Sequence, residues 1–432
     1  MRCVSTRGRA PHVDFRTAVL AGLAPDGGLY VPESWPRLEP DVWHGLRGAS
    51  LAEIGAATMG PFMEGSIDRA SLQGLLAEAF NFPIPIVALT DEVSVVELFH
   101  GPTFAFKDFG ARVLARLMSR WHSDEAHPLT VLVATSGDTG GAVAQAFHGV
   151  PRTRVVVLYP LGRVSAVQEA QFTTLGGNVR AVAVDGSFDD CQRLAKEAFA
   201  DAGLRDAVRL TSANSISLGR LLPQMVYYAY AALQYRGGAP LAICVPSGNV
   251  GNLAAGLMVQ RLGAPITRFH AATNVNDTVP RYLETGHLEV RPSVATISNA
   301  MDVGNPSNLE RVRGMFGDDL HALRQHVGGS AHGDAEVRAA MQTLDHAFGY
   351  VADPHTAVGY LGARVHLSRY PGDHVMVLST AHPAKFGDVV EAAVGHAAPV
   401  PEALSSAMAR PRLVTHILPG LDALRPLLTE WD

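Results

Sequence analysis

The sequence predicts an α/β protein of two doubly wound domains preceded by a mixed N-terminal segment. Three observations carry that expectation. From residue 93 onward, short apolar strands alternate with helices, the pattern of βαβ units and a parallel sheet. The alternation resumes after a long helical pattern at residues 217–234. Two strands run directly into Ser-Gly turns that open helices, at residues 131–147 (VLVATSGDTGGAVAQAF) and 241–257 (LAICVPSGNVGNLAAGL). In a parallel sheet such turns lie at the carboxyl ends of strands, where ligands collect.

Taken in order, residues 1–95 form the mixed segment. Residues 15–23, 51–59 and 71–79 are helical patterns, Asp26-Gly27-Gly28 is a turn, and residues 29–31 are a short strand ended by Pro32. Pro83 and Pro85 keep residues 82–86 extended. A first α/β domain is expected over 96–215. Its strands fall at 93–98, 130–135, 154–159 and 179–184, and its helices follow Lys107 and cover 142–147, 165–175 and 188–200. Gly176-Gly177 is a plausible helix stop. A second domain is expected over 216–432, with the boundary near 205–220. Its strands fall at 241–245, 266–272 and 374–379, with helices at 253–262, 309–316, 335–348 and 356–367 and a closing helix from 389. The tail from Ala397 is rich in Pro and Ala.

Composition narrows the function. The 432 residues are 47% hydrophobic and 18% charged, too apolar for disorder. A net charge of -6 without a basic block speaks against a nucleic-acid surface. No stretch approaches the ~18 apolar residues of a membrane span, and the start has no signal-like apolar core. Cys3, Cys191 and Cys244 are odd in number and far apart, which argues against disulfides and a zinc cluster and fits a reducing cytoplasm. No metal site is expected.

Lysine usage singles out one stretch. Lys and Arg total 35, yet only Lys107, Lys196 and Lys385 are lysines. Arginine cannot form a Schiff base, whereas a desolvated amine can. Lys107 lies among Phe104, Phe106 and Phe109 in HGPTFAFKDF, and Phe109, Val113 and Leu117 mark one face of a following helix. An apolar setting lowers an amine's pKa. The bland alternative is a lysine whose stem packs on the aromatics while its head reaches water.

The two Ser-Gly joints are candidate anion cradles, because glycines let N–H groups converge and the helix adds its positive end. Neither ends in Gly-Lys-Ser/Thr and neither is GxGxxG, so a P-loop is absent and a dinucleotide is a weak reading. The alternative is an ordinary Gly-rich turn. Three further stretches are polar: LSTAHPAKFGD at 378–388, with Thr380, His382 and Lys385; TSANSISLGRLLPQ at 211–224, with Asn214, Ser215 and Arg220; and DVGNPSN at 302–308. Arg220 suits a phosphate; turn capping by Thr380 and helix capping by Asn214, Ser215 or Ser217 are the structural alternatives. The 302–308 stretch reads as a loop plus N-cap. An imine-forming lysine with an anion cradle is what pyridoxal phosphate requires.

At these residues the chain resembles the threonine synthase family, bacterial and fungal type, of the tryptophan-synthase-β class of pyridoxal-phosphate enzymes (fold type II). The resemblance runs almost end to end. It is carried by STRG at 5–8, DGGLYVP at 26–32, HGPTFAFKDF at 100–109, ATSGDTG at 134–140, TSANSISLGRLLPQ at 211–224, PSGNVGN at 246–252, MDVGNPSN at 301–308 and TAHPAKF at 380–386.

The resemblance implies that Lys107 binds the cofactor's aldehyde and serves as catalytic base and acid. It implies that Gly248, Asn249, Val250, Gly251 and Asn252 hold the cofactor phosphate. Thr380 would meet the ring nitrogen, and Asp138 would lie near the 3-oxygen. Ser136, Thr139 and Gly140 would receive the substrate carboxylate, with Asn214, Ser215, Arg220 and Lys385 at the substrate phosphate. The implied reaction is a carbon–oxygen lyase step, O-phospho-L-homoserine and water giving L-threonine and phosphate, the last step of threonine biosynthesis. The enzyme would be a cytoplasmic monomer or homodimer with no nucleic-acid or membrane partner. Rival readings are a serine or threonine dehydratase of the same cofactor class, a non-catalytic relative that binds phosphorylated metabolites, and a nicotinamide dehydrogenase.

Overall fold

A computed structural model describes residues 1–122 and 128–431. Strands β1 (Arg2–Ser5), β2 (Val13–Asp14) and β3 (Tyr30–Pro32) form a small antiparallel sheet in the order β2-β1-β3. Helices Phe15–Ala21, Leu51–Met59 and Arg69–Ala79 follow the expected patterns. Ser50 and Glu53 close a reciprocal cap on the second of these, satisfying N–H groups the helix itself cannot. The segment packs on the later half of the chain: Thr6 donates to Glu310 at 2.6 Å, and the Arg311 guanidinium donates to the Tyr30 carbonyl.

Among the described residues, eleven further strands build two sheets. They are β4 (Ile86–Ala88), β5 (Val93–Glu97), β6 (Leu129–Ala134), β7 (Thr153–Pro160), β8 (Val179–Val184), β9 (Arg209–Thr211), β10 (Leu241–Pro246), β11 (Arg268–Thr273), β12 (Val327–Ala331), β13 (His374–Ser379) and β14 (Val414–Ile417). The larger sheet runs β12-β11-β10-β13-β5-β4, parallel except for β4 against β5. The smaller runs β14-β8-β7-β6-β9 and is parallel throughout.

Both faces of the central strands are buried, which explains their unbroken apolar runs. Val131 and Val133 of β6 enter one apolar cluster, and Leu132 and Ala134 enter another on the opposite face. In β10, Ile243 and Val245 share the first cluster, whereas Ala242 and Cys244 point into a third. Phe109 lies in the first cluster with ring contacts to Phe80, Phe82 and Tyr227.

The structure redraws the expected domain limits of 96–215 and 216–432. Strand β5, expected to start the first domain, pairs in parallel with β13, Val95 opposite Val377. The tail, expected in the second domain, crosses back: β14 pairs with β8, and Leu424 and Leu428 of the closing helix Leu421–Thr429 fill the apolar face of the smaller sheet. A buried parallel strand reads the same whichever sheet receives it.

The long helix expected at 217–234 is divided into Leu218–Leu221, a tight turn Leu222–Gln224 and Met225–Gln234. Pro223 has no N–H to continue the ladder, and its ring crowds the preceding turn. Strand β12, sequence VGGSA, had no sequence signal, because glycine is disfavoured in strands. It is tolerated on the sheet edge, where Gly329 passes close to the Pro280 backbone.

Candidate active site

Three strand ends gather the candidate residues. Strands β10, β13 and β5 are parallel neighbours, so the turn after β10 (Ser247 onward), Thr380 after β13 and the Lys107 loop after β5 emerge on one edge of the sheet. Neighbouring strands are about 4.8 Å apart, so the outer two joints leave the sheet about 10 Å from each other.

The Lys107 loop is stitched to its neighbour. The Phe106 N–H donates to the Thr380 carbonyl at 2.9 Å, and the His382 N–H donates to the Phe104 carbonyl at 3.1 Å. Phe104 holds a left-handed φ of 56°, a strained conformation for a large residue, and such strain collects at ligand sites. Asp108 sits fully buried behind the loop and accepts from the Thr103 N–H and hydroxyl. Burial outweighs those two bonds and pushes the Asp108 carboxyl up to about 6. The helix then begins at Lys107 itself, Lys107–His122.

Of the three phenylalanines expected to desolvate Lys107, Phe106 does so most directly: Nζ lies 4.6 Å from its ring centre. Phe109 points into the core, and Phe104 turns toward His382. The Lys107 side chain is 17% exposed. Burial lowers its pKa; Asp138 opposes this, while Lys385 and Arg220 add to the lowering.

The first Ser-Gly joint opens the helix Asp138–Phe147. Gly137 has φ 146°, and a Cβ there would overlap Gln168. Ser136 is exposed and Thr139 half-buried, so both remain open to a ligand. Gly140 does not: its N–H, expected at the substrate carboxylate, donates to the Thr135 hydroxyl at 2.9 Å. Asp138 turns inward. Its Oδ1 accepts from Lys385 Nζ at 2.6 Å and from Gln168 Nε2 at 2.8 Å, and Oδ2 lies 3.8 Å from Lys107 Nζ. Burial alone would raise this carboxyl, but Lys385 and then Lys107 hold it well below the usual carboxylate range.

Lys385 therefore departs from the expected place at a substrate phosphate. Its side chain has 0% exposure, and its ammonium is spent on Asp138 and the Thr103 carbonyl at 2.8 Å. A group that grips an incoming phosphate must face the cleft.

The second joint opens the helix Gly251–Arg261. Val250 is left-handed, with φ 48°, and no side chain caps the helix. Its first-turn N–H groups have no intrahelical acceptor. At Gly248 a Cβ would sit 2.9 Å from the Met301 backbone, so only glycine lets the two turns close. Asn249 donates to the Ser215 hydroxyl at 2.8 Å and accepts from the Ser307 N–H, tying the 211–224 and 301–308 stretches to the turn. Asn308 does not cap its helix as expected; its side chain binds Arg311 and the Ser215 carbonyl. Asn252 Oδ1 accepts from the Tyr227 and Tyr228 hydroxyls.

The site leaves buried polar atoms without protein partners: Asn214 Oδ1, Ser217 Oγ, Arg220 Nε and Asn252 Nδ2. Buried polar groups are ordinarily satisfied. Arg220 is 3% exposed, donates to the Ala213 carbonyl at 2.6 Å and forms no ion pair among the described residues. Burial brings it down to about 10, so it stays charged. Ser217 starts its short helix without a side-chain cap, so the structural alternative for that serine is not realised. A free amine, an uncapped glycine-lined helix start and an unpaired guanidinium together fit a phosphorylated aldehyde and a second anion.

Sequence reasoning missed Thr103, Asp108, Gln168 and the Asp353–His355 pair. His355 Nδ1 meets Asp353 at 2.7 Å, and its Nε2 accepts from the Ala300 N–H, bracing the turn against Gly248. Asp108 carried a signal, an acid beside the lysine at a helix start; Gln168 and His355 carried none, lying inside ordinary helices.

Comparison with known proteins is consistent with this arrangement. Residues 88–381 match the family model "Pyridoxal-phosphate dependent enzyme", residues 2–80 "Threonine synthase N terminus" and residues 356–427 "Threonine synthase, C-terminal". A threonine synthase of Serratia marcescens is 43% identical, with 97% of each chain covered. The crystal structure of threonine synthase from Escherichia coli superposes with a TM-score of 0.93 at 41% identity, covering 99% of both chains. That of PLP-bound threonine synthase from Brucella melitensis gives 0.93 at 38% identity, again over 99% of both.

Proposed function

The chain belongs to the threonine synthase family of pyridoxal-phosphate-dependent enzymes, and from that premise we propose that it converts O-phospho-L-homoserine and water to L-threonine and phosphate. The observation that carries the reading is the meeting of Lys107, Thr380 and the Gly248–Asn252 turn on three adjacent strand ends. Lys107 would hold the cofactor's aldehyde. Residues 248–252 would hold its phosphate and Thr380 its ring nitrogen. When bound, pyridoxal phosphate supplies the electron sink that makes the substrate's Cα and Cβ protons acidic.

The chain's own groups do the rest. Lys107, whose pKa burial lowers, takes the proton from Cα and then from Cβ. Ser136 and Thr139 fix the substrate carboxylate. Arg220, Asn214 and Ser215 face the substrate phosphate, and Arg220 offers the charge for it to leave against. The Cγ–O bond breaks and phosphate leaves, a proton returns to Cγ, the oxygen of water bonds to Cβ, and a proton returns to Cα. Of the three protons released by Cα, Cβ and water, the third leaves on the phosphate. We place the enzyme in the cytoplasm as a monomer or homodimer, which its three buried free cysteines suit; no described helix is long and apolar enough to cross a membrane.

The test is phosphate release from O-phosphohomoserine with the amino-acid product identified. Threonine in equal amount is expected, and Lys107→Ala should lose both phosphate release and covalent cofactor attachment. A 2-oxo acid with ammonia, or normal turnover by Lys107→Ala, would refute the reading.

A further inference from the structure

The Asp138–Lys385 pair lies outside the steps above, yet it touches the base. Lys385 Nζ is 2.6 Å from Asp138 Oδ1, and the other oxygen of the same carboxylate is 3.8 Å from Lys107 Nζ. One carboxylate thus bridges two amines, one sealed from solvent and one open to the cleft. The groups facing them are Asp108 on the lysine's own helix, Gln168, Arg220, and His382 ahead of Lys385. Burial pushes His382 down to about 4, so it is neutral at working pH. The charged groups around the pair are then Asp108, with Lys385 and Arg112 acting on it, and Arg220, which contacts no carboxylate among the described residues. Asp138 thus has a cation in contact, Lys385 at 2.6 Å, apart from any charge on Lys107.

We propose that Lys385 is a positioning residue for the base: by neutralising Asp138 from behind, it frees Lys107 from serving as that carboxylate's counter-ion. The inference rests on the reading of Lys107 as the cofactor lysine and reactive amine. Without Lys385 a buried carboxylate would face Lys107 with no other cation in contact, and Lys107 would be held as an ammonium. Thr103 supports the arrangement, since its carbonyl accepts from both Lys385 and Gln171 and fixes the ammonium on the inner side.

The experiment is trace acetylation of the full chain, stripped of cofactor, across a pH series. Mass spectrometry reads Lys107 against the exposed Lys196 of the same molecule. In Lys385→Met the pH of half-maximal labelling at Lys107 should rise by about one or more, a tenfold loss of free amine at a given pH. The acid limb of the holoenzyme's kcat profile should move with it. Asp138→Asn added to Lys385→Met should restore the profile, because it removes the charge needing compensation. A folded Lys385→Met with an unmoved labelling profile would overturn the proposal. Should that variant not fold, Asp138→Asn alone decides: the midpoint should fall, and an unmoved or raised midpoint refutes it. Pyridoxal phosphate added to the wild type should block Lys107 labelling. Blocking with no shift in the variants sinks only this inference, whereas failure to block takes the parent reading down too.

Discussion

At the residue scale the site is governed by which charges are paired. Arg220 is a buried guanidinium with no carboxylate partner among the described residues, so its charge awaits an anion rather than stabilising the fold. Arg220→Met should raise KM for O-phosphohomoserine about tenfold or more, from the ~1.5–3 kcal/mol of a hydrogen bond to a charged group. Its cofactor-free melting temperature should hold or rise; lower stability with an unchanged KM would assign Arg220 to the scaffold. Asp108 makes a pH prediction. Its carboxyl is raised from 3.8 to about 6 by burial, so between those values the folded chain holds a proton that the unfolded chain has released. Stability therefore falls as pH rises through that window and levels off above it. The effect is on the order of 2–3 kcal/mol. Denaturant titrations at several pH values should show the slope in wild type and its loss in Asp108→Asn.

At the scale of elements, turns do the positioning. The cradle after β10 depends on the 299–301 turn lying against Gly248, with His355 and Asp353 behind it. Gly248→Ala puts a methyl 2.9 Å from the Met301 backbone, which has to move. The expected result is a weakening of pyridoxal-phosphate affinity by about tenfold or more, with helical content kept, since backbone N–H contacts tolerate little displacement. Equal affinity in fluorescence titrations would count against the cradle. Glycine patterns made these two joints legible in the sequence. The broken helix at Pro223 was legible in principle too, because the residue that ends the ladder is printed there.

At the scale of the whole molecule, the two sheets are held together by a chain that, over the described residues, passes between them three times, after β5, after β9 and after β13. β4 and β5 belong to the larger sheet although they precede every strand of the smaller one, and β14 returns the tail to the smaller sheet. Leu424, fully buried in the smaller sheet's outer cluster, makes this crossing testable. Leu424→Ala should cost about 2–5 kcal/mol. Hydrogen exchange should quicken in β6, β7 and β8, while β10 and β13 keep their protection; uniform loss across both sheets would mean that they unfold as one unit.

What could be read from residues alone was local. Apolar runs marked buried parallel strands, Ser-Gly turns marked the joints proposed as anion cradles, and a rare lysine among phenylalanines marked the amine proposed as reactive. Those signals lie within a few residues of each other and follow from backbone geometry and desolvation. Tertiary structure alone decided which sheet received β5 and β14, which phenylalanine lies under Lys107, and that Lys385 turns inward to Asp138 rather than outward to substrate. Strand pairing and ion pairing join residues hundreds of positions apart, and one periodic pattern is compatible with many partners until packing selects among them.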